Sequence, residues 1–367
     1  MATTFKTFLN NDIAATRTML HEAIPITGSL VSGTYGIADH TTPNIKSYSH
    51  GMFQSVYDYP YLSSSANHIF DISVGLSSQG QLYSNTTSQQ AKKANIYNQM
   101  AQVLMGHDVN GSIQEFDEDG NILAGGTKLR EVFFLNFARL LAKDEIKKGS
   151  FQLELGTSDG YSQAVNGTMV ERLLITDASG SDGFFVNSPA GEYGVLFAQN
   201  SADTVLTNNN VACGLIFYQA GIAVVSGSVF NDADNAGLLA TGKGTVQMGS
   251  ATGDTGFNLA SGSTIDVIAD GIRNRIYNIQ FNNTTELNSS IYFCRVNHND
   301  FNYSANPTYL SGSKIRVKDS TVDNPVSYIT TVGLYSADNE LLAVAKLSEP
   351  LKKDPSTEMT LRVRLDY

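Results

Sequence analysis

Gly156-Thr157-Ser158-Asp159-Gly160 has the G-x-S-x-G spacing that sets a serine on a tight strand-to-helix turn and makes it a nucleophile. Residues 151–155 could supply the strand. The segment after the serine, YSQAVNG, leaves room for barely one helical turn before Asn166-Gly167, and His298 is the sole downstream histidine to serve as base. Without that helix nothing aims the hydroxyl or provides the oxyanion N–H, so the pentapeptide reads as a polar turn. Asp117, Asp119 and Asn121 occupy the first three ligand positions of a calcium loop. The glycine needed at the sixth position falls at the fourth, Gly120, and Lys128 stands where a bidentate glutamate belongs, so a bound cation would meet a positive charge. A β-turn between SIQEF and NILAG is expected there instead. His21, His40, His50, His68, His107 and His298 show no metal-binding spacing, and ATGKGTV at 240–246 is too short for a phosphate loop. Cys213 and Cys294 form no CxxC pair and are expected as buried free thiols. These patterns assign no catalytic residue, no cofactor and no metal ligand.

The elements around these residues read as two kinds. Three helices are expected in the first 148 residues: 12–23, with Asn11 ahead of it and Ile13, Met19 and Leu20 on one face; 88–105, capped by Ser88 and stopped by Gly106; and 128–142, KLREVFFLNFARLLA, stopped by the KKG at 147–149. Beyond Gly149 the chain becomes short apolar segments punctuated by Gly, Asn and Asp, such as SFQLELG, MVERLLITD, GFFVN, YGVLFAQ and STIDVIADG, which read as strands. The expected fold class is therefore α+β, a helical N-terminal third (1–148) followed by β-rich, antiparallel, sandwich-like modules at 149–273 and 274–367. No fixed-period repeat is present.

With 367 residues the chain can bury a sizeable core without disulfides or metals. Twenty-four basic against 35 acidic residues give a net charge of −11, which repels nucleic acid and anionic membrane, so neither is expected as a partner. The start, MATTFKTFLNNDIAATRTML, lacks a basic region followed by an apolar one, so no secretory signal is read and folding in a cytoplasm is expected. Residues 204–231 carry no charge and nearly suffice to span a bilayer. Gly214, Gly221 and Gly227 break that run into GLIFYQ and IAVVSG, which fit buried strands joined by a turn.

The C-terminal segment is patterned most clearly. SYITTVGLY and ELLAVAKL flank the turn residues SADN, the signature of a hairpin, and apolar residues on both of its faces predict that both are covered. MTLRVRLDY alternates strictly, with Met359, Leu361, Val363, Leu365 and Tyr367 on the face expected to close the same sheet. Residues 328–367, YITTVGLYSADNELLAVAKLSEPLKKDPSTEMTLRVRLDY, resemble a recurring segment of tailed-bacteriophage virion proteins, with the hairpin, a proline-containing loop and a terminal R-V-R-L strand. A shorter version of the pattern is similar to the attachment domain of tail-collar fibre proteins. LLAKDEIKKGSFQLELG (140–156) and YFCRVNHNDFNYSANPTYLSGSKIRV (292–317) resemble segments of structural proteins from large contractile-tailed phages of the T4-like and cyanophage type.

The resemblance implies a non-enzymatic structural component of the virion, in the tail or baseplate or at a fibre attachment. It would be made in the host cytoplasm and held by other virion proteins and further copies of itself as a homo-oligomer. The residues expected at its assembly interface are Tyr328, Val332, Leu334, Tyr335, Leu342, Val344, Phe301, Tyr303, Tyr309 and Tyr367. Two other readings share the resemblance. One is a receptor-binding or glycan-processing tail protein using the polar-aromatic stretch 297–309, for which two carboxylates such as Glu115 and Asp300 would have to meet. The other is a head or neck component.

Overall fold

A computed structural model describes residues 5–20, 25–26, 44–84, 86–121, 125–141, 144–157, 171–178, 180, 183–201, 205–241, 246, 263–304, 307–308, 310–312, 314–315, 322 and 324–366. The first elements are β1 (Ile13–Leu20), β2 (Pro25–Ile26), β3 (Ile45–Ser47), β4 (Gln54–Tyr57), β5 (His68–Leu76), α1 (Ser88–Leu104), β6 (Glu131–Asn136), α2 (Ala138–Leu141) and β7 (Glu145–Ile146). The middle of the chain forms β8 (Gln152–Gly156), β9 (Arg172–Thr176), β10 (Phe185–Ser188), β11 (Gly191–Asn200), β12 (Val211–Phe217) and β13 (Ile222–Ser226). It closes with α3 (Ile265–Arg275), β14 (Ile276–Val296), β15 (Leu310–Ser311), β16 (Lys314–Ile315), β17 (Ser327–Tyr335), β18 (Leu341–Lys353) and β19 (Met359–Asp366). The chain divides into two units, residues 21–285 and residues 1–20 with 286–367.

The helical N-terminal third is overturned. Among the described residues only α1 and α3 are helices of more than one or two turns, and seven strands, β1 to β7, lie before residue 148. The segment expected as a helix at 12–23 is β1, and the one at 128–142 is β6 followed by the single turn α2. Val132-Phe133-Phe134-Leu135 explains the second error. Four apolar residues in a row suit a helix face, but equally a strand buried on both sides, and β6 lies between β5 and β13 with all four residues buried. The reverse error falls at STIDVIADG, which forms α3. Ile265, Ile268, Ala269 and Ile272 recur at helical spacing and are all buried. The helix at 88–105 is present as α1. Thr87 rather than Ser88 caps it, accepting the Gln90 N–H at 3.3 Å, and Gly106 ends it with φ +83° and its N–H on the Ala101 carbonyl.

The larger unit is built on one antiparallel sheet in the order β14-β8-β9-β11-β12-β13-β6-β5-β4-β3, β14 contributing its first half. The uncharged run expected as two buried strands is β12 and β13, joined at Gly221, whose φ of +64° and whose closeness to Leu141 exclude a side chain. All three helices pack on β5. Inside this unit the sheet rolls over an aromatic interior. The Phe137 ring lies 5.5 Å from Phe70 of β5, 6.2 Å from Phe151 beside β8 and 5.1 Å from Phe281 of β14, so strands distant in the sheet order meet across the core. The turn that leads into β8 is clasped by Asp177. Its buried carboxylate accepts the N–H groups of Gly149 and Phe151, both at 2.8 Å, and burial raises its pKa.

In the smaller unit β1 and β19 both pair with β14, and β17 and β18 form a separate two-stranded sheet. The terminal strand therefore closes on β14, in the register Tyr292↔Val363 and Cys294↔Leu361, and not on the hairpin.

Candidate assembly surface

The β17–β18 hairpin turns at 336–339 as its residue types demand. Asn339 takes φ +65°, its N–H bonds the Ser336 carbonyl, and the Ser336 N–H returns to Glu340. Register puts Val332 opposite Ala345 and Leu334 opposite Ala343 on one face, where Leu334 is buried and Val332 half-buried. The other face carries Gly333 opposite Val344. Tyr335 and Leu341 lean over that glycine, close enough that a Cβ there would stand 3.0 Å from the Tyr335 ring. On this side the apolar groups face solvent: Leu342 is 68% exposed, Leu341 53%, Val344 52% and Tyr335 45%. The sequence predicts cover on both faces; among the described residues the Leu334 face has it, and this second face stays largely exposed.

An N-terminal segment reaches this hairpin. Phe5 packs edge-on against Tyr335 with ring centroids 4.9 Å apart, Phe8 lies 5.5 Å from Tyr292 of β14, and between them Lys6 forms an ion pair with Asp300 that lowers the Asp300 pKa. Asp12, buried beyond that segment, pairs with Arg295 at 2.6 Å. At the base of the hairpin Lys353 is fully buried and donates to the His298 carbonyl (3.0 Å), Asn302 Oδ1 (2.7 Å) and the Asp354 carbonyl (2.7 Å), while Ser327, opposite it in register, bonds the Phe301 carbonyl. All three hydrogens of the ammonium are thus used to hold the 298–302 turn against the strands. Replacing Lys353 with methionine leaves three acceptors unmatched and is expected to cost about 3 kcal/mol, seen as faster amide exchange at residues 298–302.

Of the residues expected at an interface, Tyr328, Tyr335, Leu342, Val344, Phe301 and Tyr303 are exposed, Val332 is half-buried and Leu334 faces inward. Tyr309 and Tyr367 lie outside the described residues. Phe301 adopts φ +53°, and both Phe301 and Tyr303 leave more than two-fifths of their surface exposed. Sequence reasoning missed Leu341 and Phe5. A bulge between Leu334 and Tyr335 breaks the alternation that would have placed Leu341, and Phe5 is more than three hundred residues from its partner with no pattern to announce it.

The groups singled out for possible chemistry have structural partners where they are described. Lys128 binds Asp117 directly, and the 117–128 ladder with its Gly120 turn is the β-turn expected in place of a calcium loop. Glu115 is bonded by Ser77 and Arg130 and Asp300 by Lys6, so each carboxylate is already matched. His68 bonds Asp71, His298 bonds Glu358, and His50 accepts the Met52 N–H. Cys213 is buried, which pushes its thiol pKa up, whereas Cys294 is half-buried. His21, His40 and Ser158 lie outside the described residues. Among the described residues no group of three His, Cys, Asp or Glu side chains is placed to hold a metal, and no helix is long and apolar enough to cross a membrane.

The smaller unit is short of interior. Among the described residues it buries four large hydrophobic side chains, Ile291, Val296, Val326 and Leu334, yet it holds eleven of the sixteen that are exposed. Among the described residues the buried hydrophobic cluster draws on the larger unit alone. By fold this is an antiparallel β protein with one well-filled unit and one unit that presents apolar surface. No protein-family model, curated protein or solved structure matches the chain.

Proposed function

We propose that the protein is a non-enzymatic structural component of a tailed-phage virion, in the tail or baseplate region, and that it acts through protein–protein contacts made by its smaller unit. The observation that carries this reading is the imbalance in that unit: apolar side chains clustered on Phe5, Tyr335, Leu341, Leu342 and Val344 face solvent where the unit has little core of its own. Surfaces of this composition, aromatic and aliphatic at the centre with charge at the edge, bury well against another protein. The partners are other virion proteins and further copies of this chain, and the net charge of −11 disfavours nucleic acid and anionic lipid. The resemblance of residues 328–367 to virion segments supplies the setting.

The double substitution Leu342→Lys with Val344→Lys tests the surface. Both side chains are exposed, so the isolated protein should keep its unfolding temperature to within about 2 °C, since surface changes move stability by roughly 0.5 kcal/mol or less. Incorporation into particles should fall by at least about ten-fold, because two charges would have to be desolvated on docking. Particles purified from infected cells and analysed by quantitative mass spectrometry give the readout. Finding the unaltered protein in infected cells but not in the particles would sink the proposal.

A further inference from the structure

The larger unit contains a cleft of about 430 Å³ between the turn that joins β3 to β4 (48–53), β5, β6 and α1, a volume within the range of small-ligand sites. Its floor is apolar, formed by Met52, Phe53, Ile96, Met100 and Phe134; of the five polar side chains that line it, Ser73 donates to the Met52 carbonyl at 2.7 Å, leaving four at the rim: His50, Asp71, Gln99 and Asn136. The neighbouring structure fixes three of the four.

His50 stacks on Tyr48 with ring centroids 5.3 Å apart and planes 6° apart, and Phe53 lies 4.9 Å from it. The Met52 N–H donates to His50 Nδ1 at 3.0 Å, so the neutral ring carries its proton on Nε2 and is a donor at its other edge. Asp71 is oriented from behind by His68 Nε2 and by the Ser55 hydroxyl, both on Oδ1, and Ser55 is in turn held by Tyr48. Oδ2 takes no hydrogen bond among the described residues, and it is an acceptor. Asn136 accepts the Ala138 N–H on Oδ1 at 2.9 Å, so its amide NH₂ is the end left to donate. Gln99 is exposed on α1 and brings both a donor and an acceptor.

From this arrangement we infer that the cleft binds a neutral carbohydrate unit. A sugar ring has an apolar C–H face that matches the floor, and hydroxyls that each donate and accept, which matches a rim of separated donors and acceptors. Other ligand chemistries fit worse. The Asp71 carboxylate repels phosphates and carboxylates, and one carboxylate beside a histidine whose Nδ1 is already occupied offers a metal no ligand set. The inference is independent of the virion reading: a sugar site would stand whether or not the smaller unit docks in a particle.

Saturation-transfer NMR on the full-length protein tests it, with methyl glycosides of glucose, galactose, mannose and N-acetylglucosamine as probes and with adenosine and inorganic phosphate as controls. At least one glycoside should receive saturation, with a Kd in the millimolar range expected for a single ring. Gln99→Ala and His50→Phe should each weaken that binding by about five-fold, the loss expected for one hydrogen bond. His50→Phe keeps a ring against Tyr48, so its unfolding temperature provides the folding control. Transfer to none of the four glycosides, transfer unchanged in both variants, or binding of adenosine in their place would each overturn the inference.

Discussion

Lys93→Met is expected to stabilise the protein at pH 7 by about 3 kcal/mol, an unusual sign for a core substitution. Lys93 lies on the buried face of α1 with no exposed surface, and its ammonium has no hydrogen-bond partner among the described residues. Desolvation alone lowers its pKa from 10.5 to about 8. The folded state therefore holds the proton less tightly than the unfolded chain. Between pH 8 and pH 10.5 the unfolded state binds more protons, so this residue makes stability rise with pH across that window, and below pH 8 its penalty is constant. At roughly 1.4 kcal/mol per pKa unit the full penalty is on the order of 3 kcal/mol. Methionine has a similar length and no charge, so it should recover most of that penalty and remove the rise. Buried Tyr97, Tyr193 and Tyr218, whose pKa values are raised, pull stability down above pH 10 in both proteins. The difference between them isolates Lys93. Urea unfolding at pH 7, 8, 9 and 10 measures it; a gap between the two proteins that does not shrink from pH 8 to pH 10 would refute the assignment.

Lys93 also shows how far the sequence could be read. In AKKANIYNQMAQVL, Lys92 and Lys93 are adjacent on a helix whose apolar face is named by Ile96, Met100 and Leu104, and that helix was legible from its spacing and its glycine stop. Which lysine turns inward depends on β5 and on the roll of the sheet, and local pattern does not carry that information. The same division runs through the fold. Alternation and turn chemistry placed β17, β18 and β19, because period two with Asn or Asp at the turns has few other meanings, and the glycines that break an uncharged run placed β12 and β13. Periodicity failed where apolar residues run together, as in β6, since a strand covered on both faces has no polar side to reveal it. The candidate assembly surface was half legible. The hairpin announced itself, but its exposure did not, because sequence shows which residues are apolar and not whether the chain has enough interior to cover them. Six of the ten residues expected at an interface are exposed, and the N-terminal Phe5 that joins them could be found only in three dimensions.

The second large effect lies at Phe137, and it separates the two units. Phe137 follows β6 directly, has no exposed surface, and touches rings from three strand regions, Phe70, Phe151 and Phe281. Phe137→Ala removes the ring on which both ends of the rolled sheet converge, and the surrounding strands are too firmly paired to collapse into the gap. The expected cost is about 4 kcal/mol, near the middle of the range for buried aromatics truncated to alanine, with Phe137→Leu recovering more than half of it by refilling part of the volume. Its backbone complicates the test little, because the Phe137 N–H bond to the Gly221 carbonyl is made whatever the side chain. The loss should appear in calorimetry as a lower transition temperature and in hydrogen exchange as faster opening of β5, β6 and β8. The β17–β18 hairpin contributes no side chain to the buried cluster and should keep its exchange rates. Equal acceleration in the hairpin would mean that the smaller unit draws its stability from the larger core, leaving less reason for its apolar face to await a partner. Unchanged hairpin exchange, combined with slower exchange there once the protein is assembled, is the pattern required of a unit completed by its partner and not by its own interior.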